Sequence, residues 1–243
     1  MSSTASKILA HAHPSSARYQ WLLFDADGTL FDYDRAERAA LGRACERIGV
    51  SFDANCLAAY RGINEAMWKA VERGETTPGA VKVRRFELLL ETLQVAYPAA
   101  AFSADYLECL AACSQLTEGA EESLRTLAPK YRMAILTNGL KEVQRGRLAG
   151  SAIRQHISDL IISEEIGFAK PARGFFDAAF ARLGEPPRHA ALMIGDGWAS
   201  DILGAVAYGL DACWFNPSRK PRPAQPKITR EITSLRELTD WLA

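Results

Sequence analysis

The sequence predicts an α/β fold, in which a doubly wound, Rossmann-like parallel sheet is interrupted after its first strand by an all-helical insert. Three observations lead to this prediction. From about residue 119 onward, short apolar runs alternate with helical segments, which is typical of a parallel sheet covered by helices. The first apolar run, Trp21–Phe24, is cut off by two carboxylates, as expected for a buried strand that ends at a ligand site. Residues 34 to about 114 show helical periodicity only.

The composition is that of an ordinary soluble globular protein. The chain has 243 residues, of which 48% are hydrophobic and 24% are charged, and this length suits one large or two small domains. Lys and Arg number 29 and balance 29 Asp and Glu, so the zero net charge argues against nucleic acid or an anionic membrane as a partner. No apolar run approaches the roughly 18 residues that a membrane helix needs.

The N-terminal segment and the cysteines carry little functional signal. We expect residues 1–18 to form a disordered tail rather than a signal peptide, because their apolar stretch covers only Ile8–Ala10. A transit peptide is the alternative, since the tail is rich in serine and poor in acids. The five cysteines form no C-x-x-C pair, which favours reduced core thiols in a cytoplasmic protein. For Cys109 and Cys113, one helical turn apart, a metal or redox role is the weaker alternative.

The insert divides into four predicted helices. The first starts at Asp34, with Glu37 completing a capping box. The second covers about residues 54–73 and the third about 79–96, while the fourth starts after Ser103. Four helices without intervening strands predict a compact bundle.

The remainder of the chain alternates helices and strands. A proline-rich stretch, residues 218–227, is predicted to be a loop, and Glu237 is expected to cap the last helix. We predict helices at 121–127, 141–149, 174–183, 199–208 and 234–241, and strands at 132–136, 160–162, 190–194, 212–215 and 228–232.

The residues that follow the first strand form the pattern Asp-x-Asp-Gly-Thr. Asp25 and Asp27 lie just beyond the strand, so both side chains can face the crevice where open α/β sheets bind ligands. Two unpaired carboxylates repel each other by roughly 4 kcal/mol at about 4 Å for an effective dielectric constant of about 20. A fold tolerates this repulsion where a cation compensates it or where chemistry uses the pair. Turn formation or helix capping is the weaker alternative for this pattern.

Three later segments place polar groups at the same edge of the sheet. Thr137 and Asn138 follow a buried strand, where a hydroxyl and an amide can donate to a phosphoryl oxygen, although a simple turn is the alternative. Lys170 stands at a predicted helix start, which disfavours a cation unless the ammonium points at an anion. A solvated surface lysine is the alternative. Asp196 and Asp201 follow another apolar strand, five residues apart, where helix capping is the alternative.

The charges of these residues predict a metal ion. Asp25, Asp27, Asp196 and Asp201 bring four negative charges to one crevice, and Lys170 returns one positive charge. Mg²⁺, a hard divalent cation with oxygen ligands, is the expected compensation.

In this order, the motifs D-x-D-G-T, T-N, K-P and G-D-x-x-x-x-D resemble those of the haloacid dehalogenase-like (HAD) phosphohydrolases. The resemblance implies that Asp25 is the nucleophile and Asp27 the general acid/base. It implies that Thr137 and Lys170 hold the phosphoryl oxygens and that Gly28 keeps the backbone close to the phosphate. The second acid favours phosphate esters over halides, because HAD dehalogenases lack an acid at that position. The implied magnesium ligands are the carboxylates of Asp25 and Asp196 and the backbone carbonyl of Asp27, with Asp201 behind them.

In HAD enzymes of this type, such an insert is a cap domain that closes over the active site. The resemblance therefore implies a cap at 34–114 and a core at 19–33 and 115–243. The spacing of cap residues is similar to that of bacterial pyrimidine 5′-nucleotidases of the HAD family, and it covers Tyr60, Ile63, Asn64, Trp68, Gly74, Arg85 and Phe86.

Asn64, Trp68 and Arg85 are the candidates for contacts with a base or sugar, while Gly28 and Asn138 are expected at the phosphate. Packing inside the helical bundle is the alternative for Trp68. Two departures from the family pattern are Gly197, where many relatives carry a hydroxyl residue, and the pair Ala172 and Arg173, where a second proline is common.

We therefore predict a Mg²⁺-dependent phosphomonoesterase that acts through an aspartyl phosphate, specifically on pyrimidine nucleoside 5′-monophosphates such as UMP, dUMP and dTMP. The alternatives are a HAD phosphatase or phosphomutase for small sugar phosphates and a non-catalytic binding module with this fold. We expect a small phosphate ester as the partner, no nucleic acid polymer, no membrane, and a monomer or weak homodimer.

Overall fold

The computed structural model describes residues 18–243, so the predicted N-terminal tail lies outside the described residues except for its last position. Within this range the chain forms a parallel sheet flanked by helices, which confirms the predicted fold class. Its six strands are β1 Trp21–Phe24, β2 Arg132–Thr137, β3 Asp159–Ile162, β4 Ala191–Gly195, β5 Asp211–Phe215 and β6 Arg230–Ile232.

The strand order is β3-β2-β1-β4-β5-β6, and neighbouring strands are parallel throughout. The first strand therefore lies in the middle, between β2 and β4. The winding direction reverses at this point, and open α/β sheets bind ligands beyond the carboxyl ends of the strands at such a reversal. The topology thus places the end of β1 at the expected ligand crevice.

The four residues of β1 are all buried because helices cover both faces of the sheet. Leu22 and Phe24 pack into one apolar cluster, while Trp21 and Leu23 pack into another on the opposite face. The helices are α1 Tyr33–Arg47, α2 Ala54–Glu72, α3 Pro78–Thr92, α4 Ala99–Ala111, α5 Ala120–Leu127, α6 Lys141–Ala149, α7 Ser163–Ile166, α8 Arg173–Leu183, α9 Gly204–Tyr208 and α10 Arg236–Leu242.

None of the helices in the described part of the chain combines the length and apolarity that crossing a bilayer requires. The five cysteines are buried and unbridged, as expected for core thiols. At the C-terminal end, Glu237 Oε1 accepts hydrogen bonds from the backbone N–H groups of Thr233 and Ser234, so its predicted capping role is confirmed.

Helices α1 to α4 surround a hydrophobic core of their own, as the bundle prediction requires. Aromatic rings form its centre: Phe86 contacts Tyr60, Tyr106 and Phe102 at centroid distances of 5.6, 5.0 and 5.2 Å. The same core includes Val143 of α6, so the insert packs directly against the sheet-flanking layer. The residue limits 34–114 for a separate cap stay a prediction.

Two predicted helix starts in the insert were wrong. The cap of α1 is Asp32, whose carboxylate accepts from Arg35 N at 3.0 Å, whereas Asp34 is exposed and pairs with Arg61. Helix α4 begins at Ala99 instead of after Ser103, because the preceding proline at its N-cap leads directly into the helix.

The predicted helix 199–208 has a more unusual form. It opens as a π-helix over Trp198–Leu203 and continues as the short helix α9. Segments of this kind often occur at functional sites, and this one carries Asp201.

The N-cap assignment predicts different costs for two neighbouring acids. Asp32→Ala removes the side-chain acceptor of α1 and should lower the free energy of unfolding by about 1 kcal/mol. Asp34→Ala removes only an exposed ion pair and should change it by a few tenths of a kcal/mol, roughly. Urea denaturation of both variants measures the difference, and equal costs would contradict the assignment.

Candidate active site

Ten of the eleven predicted site residues line one pocket beyond the carboxyl ends of β1, β2 and β4, and Gly28 is the exception. Its volume is about 260 Å³, and the sheet and the insert both contribute to its wall. From the sheet side, the pocket is lined by Asp25, Thr137, Lys170, Asp196 and Asp201. Residues far apart in the sequence therefore gather at a single point, as the motifs predict.

Lys170 lies at the centre of this group and is 1% exposed. Its ammonium donates to Asp25 Oδ1 at 2.6 Å and to the Leu136 carbonyl at 2.6 Å, and it lies 2.6 Å from Asp201 Oδ1. Burial by itself would lower the pKa of Lys170, but the two carboxylates raise it, so the side chain is charged. Lys170 precedes α8 by three residues, so the predicted helix-start position was wrong.

Three carboxylates surround this ammonium. Oxygen atoms of Asp25, Asp196 and Asp201 lie within 4.8 Å of one another. Burial raises the pKa of Asp25 well above its ordinary value; Lys170 opposes this, and the two neighbouring acids add to it. Burial and the charge of Asp201 likewise raise the pKa of Asp196 to about 6. One lysine does not neutralise three acids, and an all-oxygen donor set of this size fits a divalent cation such as Mg²⁺.

The turn after β1 touches the turn after β4. Thr29 Oγ1 donates to Asp196 Oδ1 at 3.2 Å and accepts from Asp196 N at 3.0 Å, so its role is to join two strands rather than to steady its own turn. Gly28 has a φ of +80°, and a Cβ atom there would lie 2.8 Å from Asp196 Oδ2. Only glycine allows the two turns to approach this closely.

The carboxylate of Asp27 lines the pocket but is not part of the three-acid cluster. Gln144 Nε2 donates to its Oδ2 at 2.5 Å, and the guanidinium of Arg147 pairs with its Oδ1. Counting Asp27 among the charges that need a metal was therefore wrong, because a buried arginine compensates it.

Asn138 lines the pocket and supports Lys170, while its contact with the phosphate stays a prediction. Its amide donates to the Lys170 carbonyl at 2.8 Å, and its Oδ1 accepts from Lys170 N at 2.7 Å. Thr137 Oγ1 accepts from Gly139 N at 3.0 Å, which leaves the hydroxyl proton for an acceptor in the pocket.

Asp201 is held in turn by the backbone of the π-helix. Its Oδ2 accepts from Gly197 N at 2.9 Å, and a Cβ atom at Gly197 would lie 2.3 Å from Ser200 Oγ. In this chain Ser200 occupies the space that a side chain at position 197 would need, which accounts for the glycine at that departure from the family pattern.

The insert forms the opposite wall. Arg85 Nη1 donates to Asn64 Oδ1 at 2.9 Å, and Asn64 Nδ2 donates to the hydroxyl of Tyr33 at 3.2 Å. Arg85 is 1% exposed, and its guanidinium lies 5.1 Å from the ring centre of Tyr106. Trp68 packs against the core of the insert, as its alternative reading predicts, and it also lines the pocket, so its contact with a base or sugar stays a prediction.

Several residues in the pocket lining or directly behind it were not anticipated from the sequence, and Arg147 is one of those behind it. Gln144 and Arg147 are three residues apart on α6, which is a helical spacing, but a charged helix gives no sign of which face is buried. The others carry no recognisable pattern: Tyr33, Glu72, Leu110 and Ser200.

Known proteins resemble the chain over nearly its whole length. A family model described as haloacid dehalogenase-like hydrolase matches residues 19–209. The HAD-hydrolase YfnB of Bacillus subtilis is 34% identical, with 91% of this chain and 94% of YfnB covered. Its crystal structure bound to magnesium has a TM-score of 0.86 and covers 93% of this chain and 99% of that one.

Two further relatives carry a substrate in their names. The pyrimidine 5′-nucleotidase YjjG of Escherichia coli is 32% identical, with 93% of this chain and 98% of YjjG covered. The pyrimidine 5′-nucleotidase PynA of Streptococcus pneumoniae is 31% identical, with 92% of this chain and 95% of PynA covered.

The raised pKa of Asp196 predicts a pH-dependent cost in metal-free protein. A carboxyl group whose pKa rises on folding from its ordinary value to about 6 destabilises the fold progressively as the pH rises between these two values, and the cost is fully present above about pH 6. At about pH 7.5, Asp196→Asn should raise the free energy of unfolding by about 1–2 kcal/mol. This gain should vanish below about pH 4, where Asp196 of the wild type is protonated in both the folded and the unfolded protein.

Chemical denaturation with and without Mg²⁺ measures this effect. Mg²⁺ should stabilise the wild type and have a much smaller effect on Asp196→Asn, whereas the exposed Asp177→Asn should behave as the wild type. A metal-free Asp196→Asn protein that is less stable than wild type at neutral pH would contradict the electrostatic account.

Proposed function

Because the chain belongs to the haloacid dehalogenase-like hydrolase family, we propose that it is a Mg²⁺-dependent phosphatase that cleaves phosphate monoesters through a phosphorylated Asp25. The observation that carries the proposal is the ammonium of Lys170 held 2.6 Å from Asp25 Oδ1. This contact fixes Asp25 through Oδ1, and its Oδ2 has no hydrogen-bond partner among residues 18–243, so Oδ2 is the oxygen proposed to attack phosphorus.

In the first step, Asp25 attacks phosphorus and the alcohol leaves. Asp27 gives its proton to the leaving oxygen as the P–O bond breaks. Lys170 and the hydroxyl of Thr137 offer positive charge and a donor to the phosphoryl oxygens. In the second step, Asp27 takes a proton from water, which attacks phosphorus and releases phosphate from Asp25.

The cluster of Asp25, Asp196 and Asp201 is the proposed metal site, together with the backbone carbonyl of Asp27. Bound Mg²⁺ would supply charge neutralisation for the phosphoryl group and orient it toward the nucleophile. Asp25 and Asp196 would bind the ion with their carboxylates. Asp201, already held by Lys170 and by Gly197 N, would orient bound water.

Asp27 favours a phosphatase over a dehalogenase. Asp27 lines the pocket together with Asp25, and its carboxyl group is the proposed proton donor. A halide leaves as a stable anion and needs no proton, whereas the alkoxide of a phosphate ester does. The same filled positions argue against a non-catalytic binding module.

For the substrate, we propose pyrimidine nucleoside 5′-monophosphates. The names of YjjG and PynA support this choice, and so does the wall formed by the insert. Trp68 offers an apolar surface that suits a planar base better than a hexose, and the Arg85–Asn64 pair offers hydrogen bonds to ring carbonyls. Small sugar phosphates are the alternative substrate class.

A panel of phosphate esters tests this proposal. With Mg²⁺, the wild type should release phosphate from UMP, dUMP and dTMP faster than from hexose phosphates, and Asp25→Asn should lose activity by orders of magnitude. Arg85→Met should raise KM for nucleotides about tenfold or more, which corresponds to the loss of a charged hydrogen bond of about 1.5–3 kcal/mol.

Arg84→Met is the matched control, because Arg84 is exposed and pairs only with Glu87 on its own helix. Its KM should equal that of the wild type. A preference for hexose phosphates would contradict the nucleotide assignment, and an absence of phosphate release even from p-nitrophenyl phosphate would contradict the phosphatase itself.

A further inference from the structure

We propose that Arg147 is a positioning residue that couples the carboxylate of Asp27 to the two connections between the insert and the sheet. The inference rests on the proposed function, in which Asp27 is the general acid and base. It assigns a role to a residue that no motif singles out.

The side chain of Arg147 contacts three different parts of the structure. Its side chain is fully buried, and its guanidinium pairs with Asp27 Oδ1. Its Nε donates to the carbonyl oxygen of Cys113 at 2.9 Å, and Cys113 follows the end of α4. The guanidinium also lies 4.5 Å from the ring centre of Phe31, just before α1 begins. One cation therefore contacts the acid, the entry to the insert and the exit from it.

The entry and exit segments are themselves joined. Phe31 and Leu116 form an antiparallel bridge, and Thr117 N donates to the Leu30 carbonyl at 3.0 Å. Asp32 N donates to the Gln115 carbonyl at 3.0 Å. Any shift of the insert relative to the sheet must pass through this paired segment, against which Arg147 is packed.

A second donor from the same helix completes the hold on Asp27. Gln144 Nε2 donates to Asp27 Oδ2. Gln144 and Arg147 therefore each bind one oxygen of Asp27, and together they fix the plane of its carboxylate. Helix α6 is tightly fixed to the insert, because a Cβ atom at Gly146 would lie 3.0 Å from Ala111 Cβ. The carboxylate is thus oriented by a helix that packs directly against the end of α4.

Packing alone does not account for an arginine here. Arg147 Nη2 has no hydrogen-bond partner among residues 18–243, and a buried N–H without a partner costs stability. A charge at this point does have a chemical use. When Asp27 releases its proton to the leaving oxygen, it becomes a carboxylate, and Arg147 stabilises the negative charge that forms.

Leaving-group dependence tests this role. An alkoxide needs the proton of Asp27, whereas p-nitrophenolate leaves as a stable anion. Arg147→Met should therefore lower kcat/KM for the best nucleotide substrate by about 100-fold, near the lower end for general acid catalysis, and lower it far less for p-nitrophenyl phosphate. The ratio kcat/KM is the right quantity because it reports the step in which the leaving group departs and not the later hydrolysis of phosphorylated Asp25, which both substrates share. Arg147→Lys keeps the charge and should recover part of the loss, with KM nearly unchanged.

Two further variants keep the test decisive. Arg145→Met lies two residues away, where Arg145 is exposed and pairs with Glu165, so it should match the wild type on both substrates. Gln144→Met removes a contact to Asp27 without touching the connections, and it should show the same leaving-group selectivity even if Arg147→Met does not fold.

Equal losses on both substrates, or no loss on either, would overturn the positioning role and make Arg147 a structural residue. These outcomes require an active wild type, so they are distinct from failure of the proposed function. A wild type that hydrolyses neither ester would contradict the proposed function and the inference with it.

Discussion

The buried ammonium of Lys170 is the interaction on which the site depends. It joins the ends of two strands to the π-helix by contacting Asp25, the Leu136 carbonyl and Asp201. An ammonium in this position is stable only because carboxylates surround it, and the carboxylates are tolerated only because the ammonium is there. Each group thus accounts for the burial of the others, and together they fix the nucleophile at one end of the pocket.

The charges of the pocket fall into two groups. Asp27 is compensated by Arg147, while the second group consists of Asp25 and Asp201, which pair with Lys170, and the neighbouring Asp196. The second group keeps an excess of negative charge, which is where a divalent cation and a phosphoryl group are proposed to bind. The first group is balanced by Arg147. The four carboxylates of the crevice therefore differ in which cation compensates their charge.

Much of the sheet could be predicted from the sequence because buried parallel strands leave short apolar runs, and β1 and β4 end at their acids. Asp25 and Asp196 were predicted at the site for the same reason, whereas Lys170 was predicted from its place before a helix. Contacts between distant segments produce no comparable pattern in the sequence. Thr29 reaches Asp196 across 167 positions, and Arg147 reaches Asp27 across 120, so no local pattern records either. On α6 the charges are typical of a solvated face, and only packing against α4 buries Arg147.

The central claim is that Asp25 itself becomes phosphorylated. Reduction with borohydride during steady-state turnover of p-nitrophenyl phosphate tests this directly, because it converts an aspartyl phosphate to homoserine. Peptide mass spectrometry should then find homoserine at position 25 in wild-type protein treated with substrate and Mg²⁺, and unmodified Asp25 when substrate is omitted. An active enzyme whose Asp25 stays unmodified under these conditions, or homoserine at position 27, would contradict the account.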